Sequence, residues 1–379
     1  MENVNEIYLT KLEVFFELFF KKMHKSHKEF IACYLLSLIV CQTVNSRILA
    51  KQLNGDVQIK SNEQRIRNFY CNYEIDYTEI AIIMFSLLKP KKIKLSIDRT
   101  NWKFGKNDIN VFAMTAYYHG LGVPLFWDLL EKRGNSNIPE RIDLLKLFVN
   151  QFGISHIEYI TADREFIGHD WIKYLKRNNI SFFIRIRKNT DVLLNGKEYK
   201  AEQLVTGKHE KCYMDVKIWG VRLNLSAKMI DNPKDQDDNC LLIITDLMPL
   251  NACECYRNRW SIESCFSCWK TRGLNIEDTH MIKPERLKKL VAMVALAYLF
   301  CVHLGVWSNA NQKKIPIKKH GYKAQSFFRK GLDLLDECIK HINKKIEQLK
   351  FYITLIISEL QRNYCFFMFQ KKGYEVSNL

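Results

Sequence analysis

The chain has 379 residues, 47% of them hydrophobic, and its 58 Lys and Arg outweigh 41 Asp and Glu for a formal charge of +17. That length supports two or three domains with a sizeable core, and that apolar content excludes a disordered chain. The cationic excess points to a polyanionic partner, nucleic acid ahead of an acidic membrane surface, and the 12 cysteines point to free thiols in a reducing cytoplasm rather than a disulfide framework.

The N-terminus, "MENVNEIYLTKLEVFFELFFKKMHK", opens with acidic and polar residues and lacks the basic start and cleavage site of a secretory leader. Its apolar run "FFELFFKK" is too short to span a bilayer. Residues 1–88 read as a helical N-terminal domain. Within it "SRILAKQL" sets Leu49 and Leu53 one turn apart, "NGD" is a turn signal, and Ser61 with Gln64 three residues later has a capping-box pattern. Ile66, Phe69 and Tyr70 then form an apolar face, with Gln64, Arg65 and Asn68 facing out. Helix, turn and capped helix describe a helix-turn-helix DNA reader with Gln64 and Arg65 as its contacts; a plain small helical domain contains the same pair.

At Lys89-Pro90 the pattern changes. "KKIKLSIDRT" alternates and reads as a strand ending in an acid, Asp98. Two further apolar segments, split by Gly120 and Gly122, complete a three-strand meander. "PERIDLLKLFVNQF" has helical spacing, and "IEYITADREFIG" is a second strand ending in an acid, Asp163. Helix-like "HDWIKYLKRN" and strand-like "ISFFIRIRKN" follow, so the order describes an α/β mixed sheet with flanking helices. Residues 188–247 are β-rich, with Asn195-Gly196 as a hairpin turn and "DNPKDQDDN" as an acidic loop. "LVAMVALAYLFCVHLGVW", Leu290–Trp307, is long enough to be a membrane candidate; it stands alone and follows Pro284, a helix opener, and reads as a buried core helix. Residues 311–379 are basic and helical in pattern, with Lys318, Lys319, Lys323, Arg329 and Lys330 as solvated charge or as phosphate contacts.

The stretch "YRNRWSIESCFSCWK" concentrates the chemistry. On one helix, Tyr256, Arg259 and Lys270 fall within about 40° of Glu263. A solvated Arg259–Glu263 pair accounts for two of the four. A surface that holds a metal ion beside an anion accounts for all. Cys253, Cys255, Cys265 and Cys268 spread around the same axis and do not converge on zinc. Asp98, Asp163 and Glu263 are hard oxygen donors; brought together they suit Mg²⁺ or Mn²⁺, and two such ions about 4 Å apart clamp the attacking and leaving oxygens of a phosphodiester. With metal to activate water, none of His119, His169 and His280 is required as a base.

These motifs resemble those of DDE transposases of the bacterial insertion-sequence class that includes the cut-and-paste Tn-type enzymes. "YRNRWSIESCFSCWK" is similar to the family's Y-x2-R-x3-E-x6-K signature, "SIDRTNWKFG" to its first-aspartate motif and "ITADREFIG" to its second. The resemblance runs from Lys91 to about Leu304. It implies a ribonuclease H-like catalytic domain at 89–310, with the β-rich insertion lying before the catalytic glutamate. It also implies that Asp98, Asp163 and Glu263 bind two Mg²⁺ ions, with Mn²⁺ able to substitute, and that Tyr256, Arg259 and Lys270 contact phosphates at the element end. The implied partners are double-stranded DNA at the element ends and target and a second copy in a synaptic homodimer; no membrane is implied, and the implied compartment is the cytoplasm. The implied reaction is cleavage at the terminal inverted repeats followed by attack of the freed 3′-OH. The alternative is a DNA-binding protein that keeps this fold without catalysis.

Overall fold

A computed structural model describes residues 23–53, 57–88, 92–231, 233, 239–319 and 321–371. The acidic start with its apolar run, the "NGD" turn, the Lys89-Pro90 boundary and most of the acidic loop lie outside the described residues. The chain divides into two compact units, one drawn from 1–89, 101–109 and 265–379, the other from 90–100 and 110–264.

The first unit is mainly helical. It holds α1 (Lys25–Cys41), α2 (Ser46–Leu53), α3 (Ile59–Asn72) and α4 (Tyr77–Leu88), then α9 (Pro284–Asn311), α10 (Phe327–Lys340) and α11 (Ile342–Lys371). Phe30, Tyr34, Phe69 and Tyr70 form an aromatic cluster between α1 and α3, and the Tyr70 hydroxyl donates to that of Tyr34 at 2.7 Å, so neither buried phenol is left without a partner. Ile66, Phe69 and Tyr70 are buried, as their spacing predicts. The capping box is not formed. α3 begins three residues earlier than its pattern suggests, at Ile59 behind Gln58. Ser61 lies inside the first turn, its N–H bonded to the Gln58 carbonyl at 2.9 Å, while Asn62 Nδ2 donates to the Ala50 carbonyl at 3.0 Å. That tertiary bond to α2 outweighs the local cap.

Helix α9 is long and apolar enough to cross a membrane by length and composition, yet 89% of its most apolar window is buried inside the protein. It opens on Pro284, where the missing N–H costs nothing. Against it α10 packs at a crossing built on two glycines. A Cβ on Gly305 would lie 1.8 Å from the Phe327 carbonyl oxygen, and one on Gly331 would lie 1.8 Å from that of Cys301. Only hydrogen at both positions lets the backbones approach this closely. Of the tail cations, Lys330 is buried and donates to the Lys313 carbonyl, so it is not free solvated charge, while Arg329 stays exposed and pairs with Asp333 at 2.8 Å.

The second unit is built on a sheet whose strands are β1 (Ile93–Phe104), β2 (Asn107–Tyr118), β3 (Leu121–Leu129), β4 (Ile157–Ala162), β5 (Phe182–Arg185), β6 (Asp191–Leu194), β7 (Lys197–Lys200), β8 (Lys211–Ile218), β9 (Val221–Met229) and β10 (Cys240–Thr245). Their order is β3-β2-β1-β4-β5-β10-β9-β8-β6-β7. β1, β4 and β5 are parallel neighbours, and β2 runs antiparallel to β3. The first five strands have the ribonuclease H-like order, and β10 to β7 extend the same sheet by antiparallel pairing. Helix α5 (Ile138–Phe152), started by an Asn137–Glu140 capping box, packs on β3, and α6 (His169–Arg177) packs on β9. β1 is 12 residues long and does not stop at Asp98, because it continues into the hairpin with β2. The strand-end expectation for Asp98 is therefore corrected, whereas Asp163 does directly follow the last residue of β4.

Gly331→Ala is expected to destabilise the chain by about 1–3 kcal/mol, the cost of overpacking a close backbone contact. Urea unfolding followed by far-UV circular dichroism measures it; an unchanged midpoint would contradict the close crossing.

Candidate active site

Backbone register brings the two aspartates together. Ile97 on β1 pairs with Ala162 on the parallel strand β4, so the next residues, Asp98 and Asp163, leave the ladder side by side. Neighbouring strands lie about 4.8 Å apart, which is how residues 65 positions apart in sequence become neighbours. Each acid accepts a hydrogen bond from the next backbone N–H, Arg99 to Asp98 at 2.8 Å and Arg164 to Asp163 at 2.6 Å.

The third acid comes from two short helices, α7 (Ala252–Arg257) and α8 (Trp260–Trp269), separated by a turn at Asn258 and Arg259. A single helix across this stretch is thus not formed. Asn258 Nδ2 donates to the Tyr159 hydroxyl at 2.7 Å, and Arg259 N–H bonds the Tyr256 carbonyl at 2.9 Å, which tightens the chain there. α7 lies over β4, β5 and β10, with Tyr256 in a cluster with Tyr159, Phe183 and Ile243. The expected convergence of Tyr256, Arg259 and Glu263 survives the break. Arg259 Nε donates to the Tyr256 hydroxyl at 2.9 Å, and its Nη2 lies 2.6 Å from Glu263 Oε1.

Arg259 also reaches Asp98, with Nη1 3.2 Å from Oδ2, and the Tyr256 hydroxyl stands 3.5 Å from Asp163 Oδ1. Two carboxylates, from β1 and α8, thereby meet one guanidinium whose side chain is only 8% exposed, and the third, just after β4, is linked to it through Tyr256. Burial alone would weaken that guanidinium's hold on its proton; the Tyr256 hydroxyl it donates to and the Glu263, Asp98 and Asp163 carboxylates around it more than offset this, so it stays a cation. Asp98 is pushed up to about 6, chiefly by burial, with Arg259 and the Arg99 N–H opposing and Asp163 and Glu263 adding repulsion.

The surroundings hold the acids in place. Arg99 makes a two-pronged pair with Glu165, at 2.8 and 2.9 Å, tying the residue after Asp98 to the loop after Asp163. Arg141, 5% exposed, donates to the carbonyls of Ser136, Glu165 and Ile167 and lies over the Phe166 ring, so a buried cation from α5 braces the same loop. Gly122 on β3 lets the start of α8 come close, since a Cβ there would lie 2.9 Å from the Ser261 carbonyl oxygen and 2.8 Å from Thr115 Oγ1. Sequence reasoning identified none of Arg99, Arg141 and Gly122 as part of this site. Adjacency to Asp98 could have flagged Arg99; the roles of Arg141 and Gly122 exist only in three dimensions. Next to Glu165 opens a basic cleft of about 430 Å³ lined by Arg164, Arg185, Arg187 and Lys188.

The remaining sequence candidates belong to the first unit and have partners of their own. Lys270 follows α8 and bonds the Asn101 carbonyl at 2.9 Å and Glu277 at 2.8 Å, with its ammonium over the Trp102 ring. Gln64 is exposed on α3 and bonds Asn68 at 2.8 Å, and the Arg65 guanidinium lies over the Phe30 ring.

Among the described residues no group of three His, Cys, Asp or Glu side chains has ion-holding geometry, because Arg259 stands where the carboxylates converge. The donor set nevertheless fits a hard divalent ion. All three groups are carboxylates, and the raised Asp98 marks a place where added positive charge is favourable.

The sign of the Asp98 shift gives a stability test. Its folded value, about 6, lies above the unfolded value near 3.8, so the folded chain favours the protonated form. That contribution is full below about pH 4 and lost as pH rises through 6, leaving a cost of about 3 kcal/mol at pH 7.5. Asp98→Asn is therefore expected to raise stability in chelator at pH 7.5 by about 1–3 kcal/mol, with most of the gain gone at pH 4. Urea unfolding at the two pH values decides; an equal gain at both speaks against the buried charge. Gly122→Ala is expected to cost about 1–3 kcal/mol in the same assay, and adding Thr115→Ala should not restore it, because the Ser261 backbone remains in the way.

Residues 89–300 match the family described as Transposase DDE domain. A search of curated proteins finds no match. Among solved structures, a cryo-EM structure of a piggyBac transposase synaptic complex with hairpin DNA is similar over 93% of this chain and 82% of that one, at 12% identity and a TM-score of 0.44. A match over more than half of the chain, carrying Asp98, Asp163 and Glu263 within it, places the protein by descent: it belongs to the DDE transposase family.

Proposed function

We propose that the protein binds the terminal inverted repeats of its own insertion sequence, cleaves the DNA at the element ends, and joins the freed 3′-OH ends to target DNA. The observation that carries this reading is the convergence of Asp98, Asp163 and Glu263, from β1, β4 and α8, around one buried cation. In the proposed active state Asp98, Asp163 and Glu263 hold two Mg²⁺ ions, with Mn²⁺ able to replace them. The chemistry such a pair would supply there is activation of the attacking oxygen and neutralisation of charge on the leaving oxygen. Arg259 then leaves the carboxylates and turns to a DNA phosphate, a role its planar fork of donors suits. Tyr256 and Lys270 contact neighbouring phosphates of the element end. Arg99 and Arg141 hold the loop after Asp163 against movement as the scissile strand enters.

The same reading assigns 1–88 to DNA binding through Gln64 and Arg65, 89–310 to catalysis and 311–379 to a basic C-terminal region. It places the reaction in a synaptic homodimer in the cytoplasm, on the nucleoid. A second reading, a DNA-binding protein without catalysis, draws on the Arg259 contacts, which close the carboxylates on a side chain rather than an ion.

The DNA flanking the reading frame supplies the repeats for a nicking assay. Glu263→Ala is expected to lower nicking by on the order of a thousandfold while leaving repeat binding intact, since lost charge stabilisation of several kcal/mol corresponds to such a factor. A parent chain that binds the repeats yet fails to nick them with either Mg²⁺ or Mn²⁺ establishes the second reading instead.

A further inference from the structure

The helical unit carries a second concentration of positive charge. α2 and α3 meet the segment from Asp278 to Arg286 in a cleft of about 480 Å³. Arg47, Arg67 and Arg286 line it, the first two exposed and the third half-buried, with His280 beside them. None of the three arginines forms an ion pair among the described residues. Two carboxylates share the cleft. Glu63 is half-buried, and Asp278 Oδ2 is already engaged, accepting from Thr43 Oγ1 at 2.5 Å.

The walls are tied together before any ligand arrives. The Thr43–Asp278 bond joins the end of α1 to the far segment, and Lys289 Nζ on α9 donates to the Tyr70 carbonyl of α3 at 3.1 Å. Asn45 Oδ1 accepts from the Arg47 N–H at 3.1 Å and fixes the start of α2. Three guanidinium groups that make no ion pair among the described residues line one concave surface, and their excess over the two carboxylates there favours an anion. Guanidinium favours phosphate, which it binds through paired donors. The rings present are committed elsewhere: Tyr70 is 3% exposed, and His280 stacks on Phe104 at 5.0 Å between centroids. Arginine rather than a row of aromatic rings therefore dominates the lining, which favours a duplex backbone over a splayed single strand.

We propose that this cleft binds the sugar-phosphate backbone of duplex DNA, with Arg47, Arg67 and Arg286 on successive phosphate groups. This deepens the DNA-acting reading above and moves its contact surface on α3. Glu63, Ile66, Arg67 and Tyr70 form one stripe toward the cleft, and Arg65 lies about 160° around the helix from Arg67.

The test uses the full-length chain and a fluorescently labelled, random-sequence DNA duplex, with anisotropy recorded across a salt series. The triple change Arg47→Ala, Arg67→Ala and Arg286→Ala is expected to weaken binding at least about tenfold. It should also lower the slope of log affinity against log salt by about 2–3, from about 0.9 per lost phosphate contact. The matching triple change to lysine keeps the slope, which separates lost charge from lost fold, and circular dichroism verifies both variants. A folded alanine variant with the parental affinity and slope overturns the proposal. So does a parent that binds a single strand of the same length in preference to the duplex. A parent chain that shows this arginine-dependent binding yet fails to nick counts against the catalytic reading alone, whereas a parent that nicks while the alanine variant keeps its affinity and slope counts against this cleft alone.

Discussion

The site depends on a single buried guanidinium. Arg259 sits between a phenol hydroxyl and two carboxylates, and through Tyr256 it is linked to the third. Three acids cannot be gathered in a low-dielectric pocket without a compensating cation, because each added charge raises the cost of the next. Burial, with the Asp163 and Glu263 charges adding to it, pushes Asp98 up to about 6 even with Arg259 beside it. A protein built this way holds its clustered acids under electrostatic load.

The remainder of the second unit can be read as the means of bearing that load. The β1–β4 register sets Asp98 beside Asp163. Arg99 and Arg141, cations beyond the acids, pin the loop that follows Asp163 through Glu165 and through backbone carbonyls. The turn at Asn258 and Arg259, which interrupts what the residue pattern presents as one helix, aims Arg259 inward at Asp98 while α8 carries Glu263. Gly122 admits α8 to the sheet at a distance that no larger residue permits.

Much of this was legible in the sequence. The alternation of "KKIKLSIDRT", the turn pair Asn195-Gly196 and the helical spacing of residues 139–152 each reflect local forces, so each correctly marked an element. The same holds for the buried stripe Ile66, Phe69 and Tyr70. Local reasoning failed where a distant contact outweighed a local preference. Ser61 has the chemistry of a cap, yet the bond from Asn62 to Ala50 accompanies an earlier helix start. Lys330 has the look of solvated charge and is buried against a carbonyl.

By itself the sequence determined the residue types of the site, the mixed α/β order and the apolar helix Pro284–Asn311, because side-chain chemistry and hydrophobic periodicity are properties of short segments. Only the tertiary structure decided that Asp98 lies within a strand rather than at its end, that Arg259 faces the acids, and that Arg141 braces their loop. Those outcomes rest on register and on packing between segments tens to hundreds of residues apart, and no short-range pattern encodes which distant group will be waiting there.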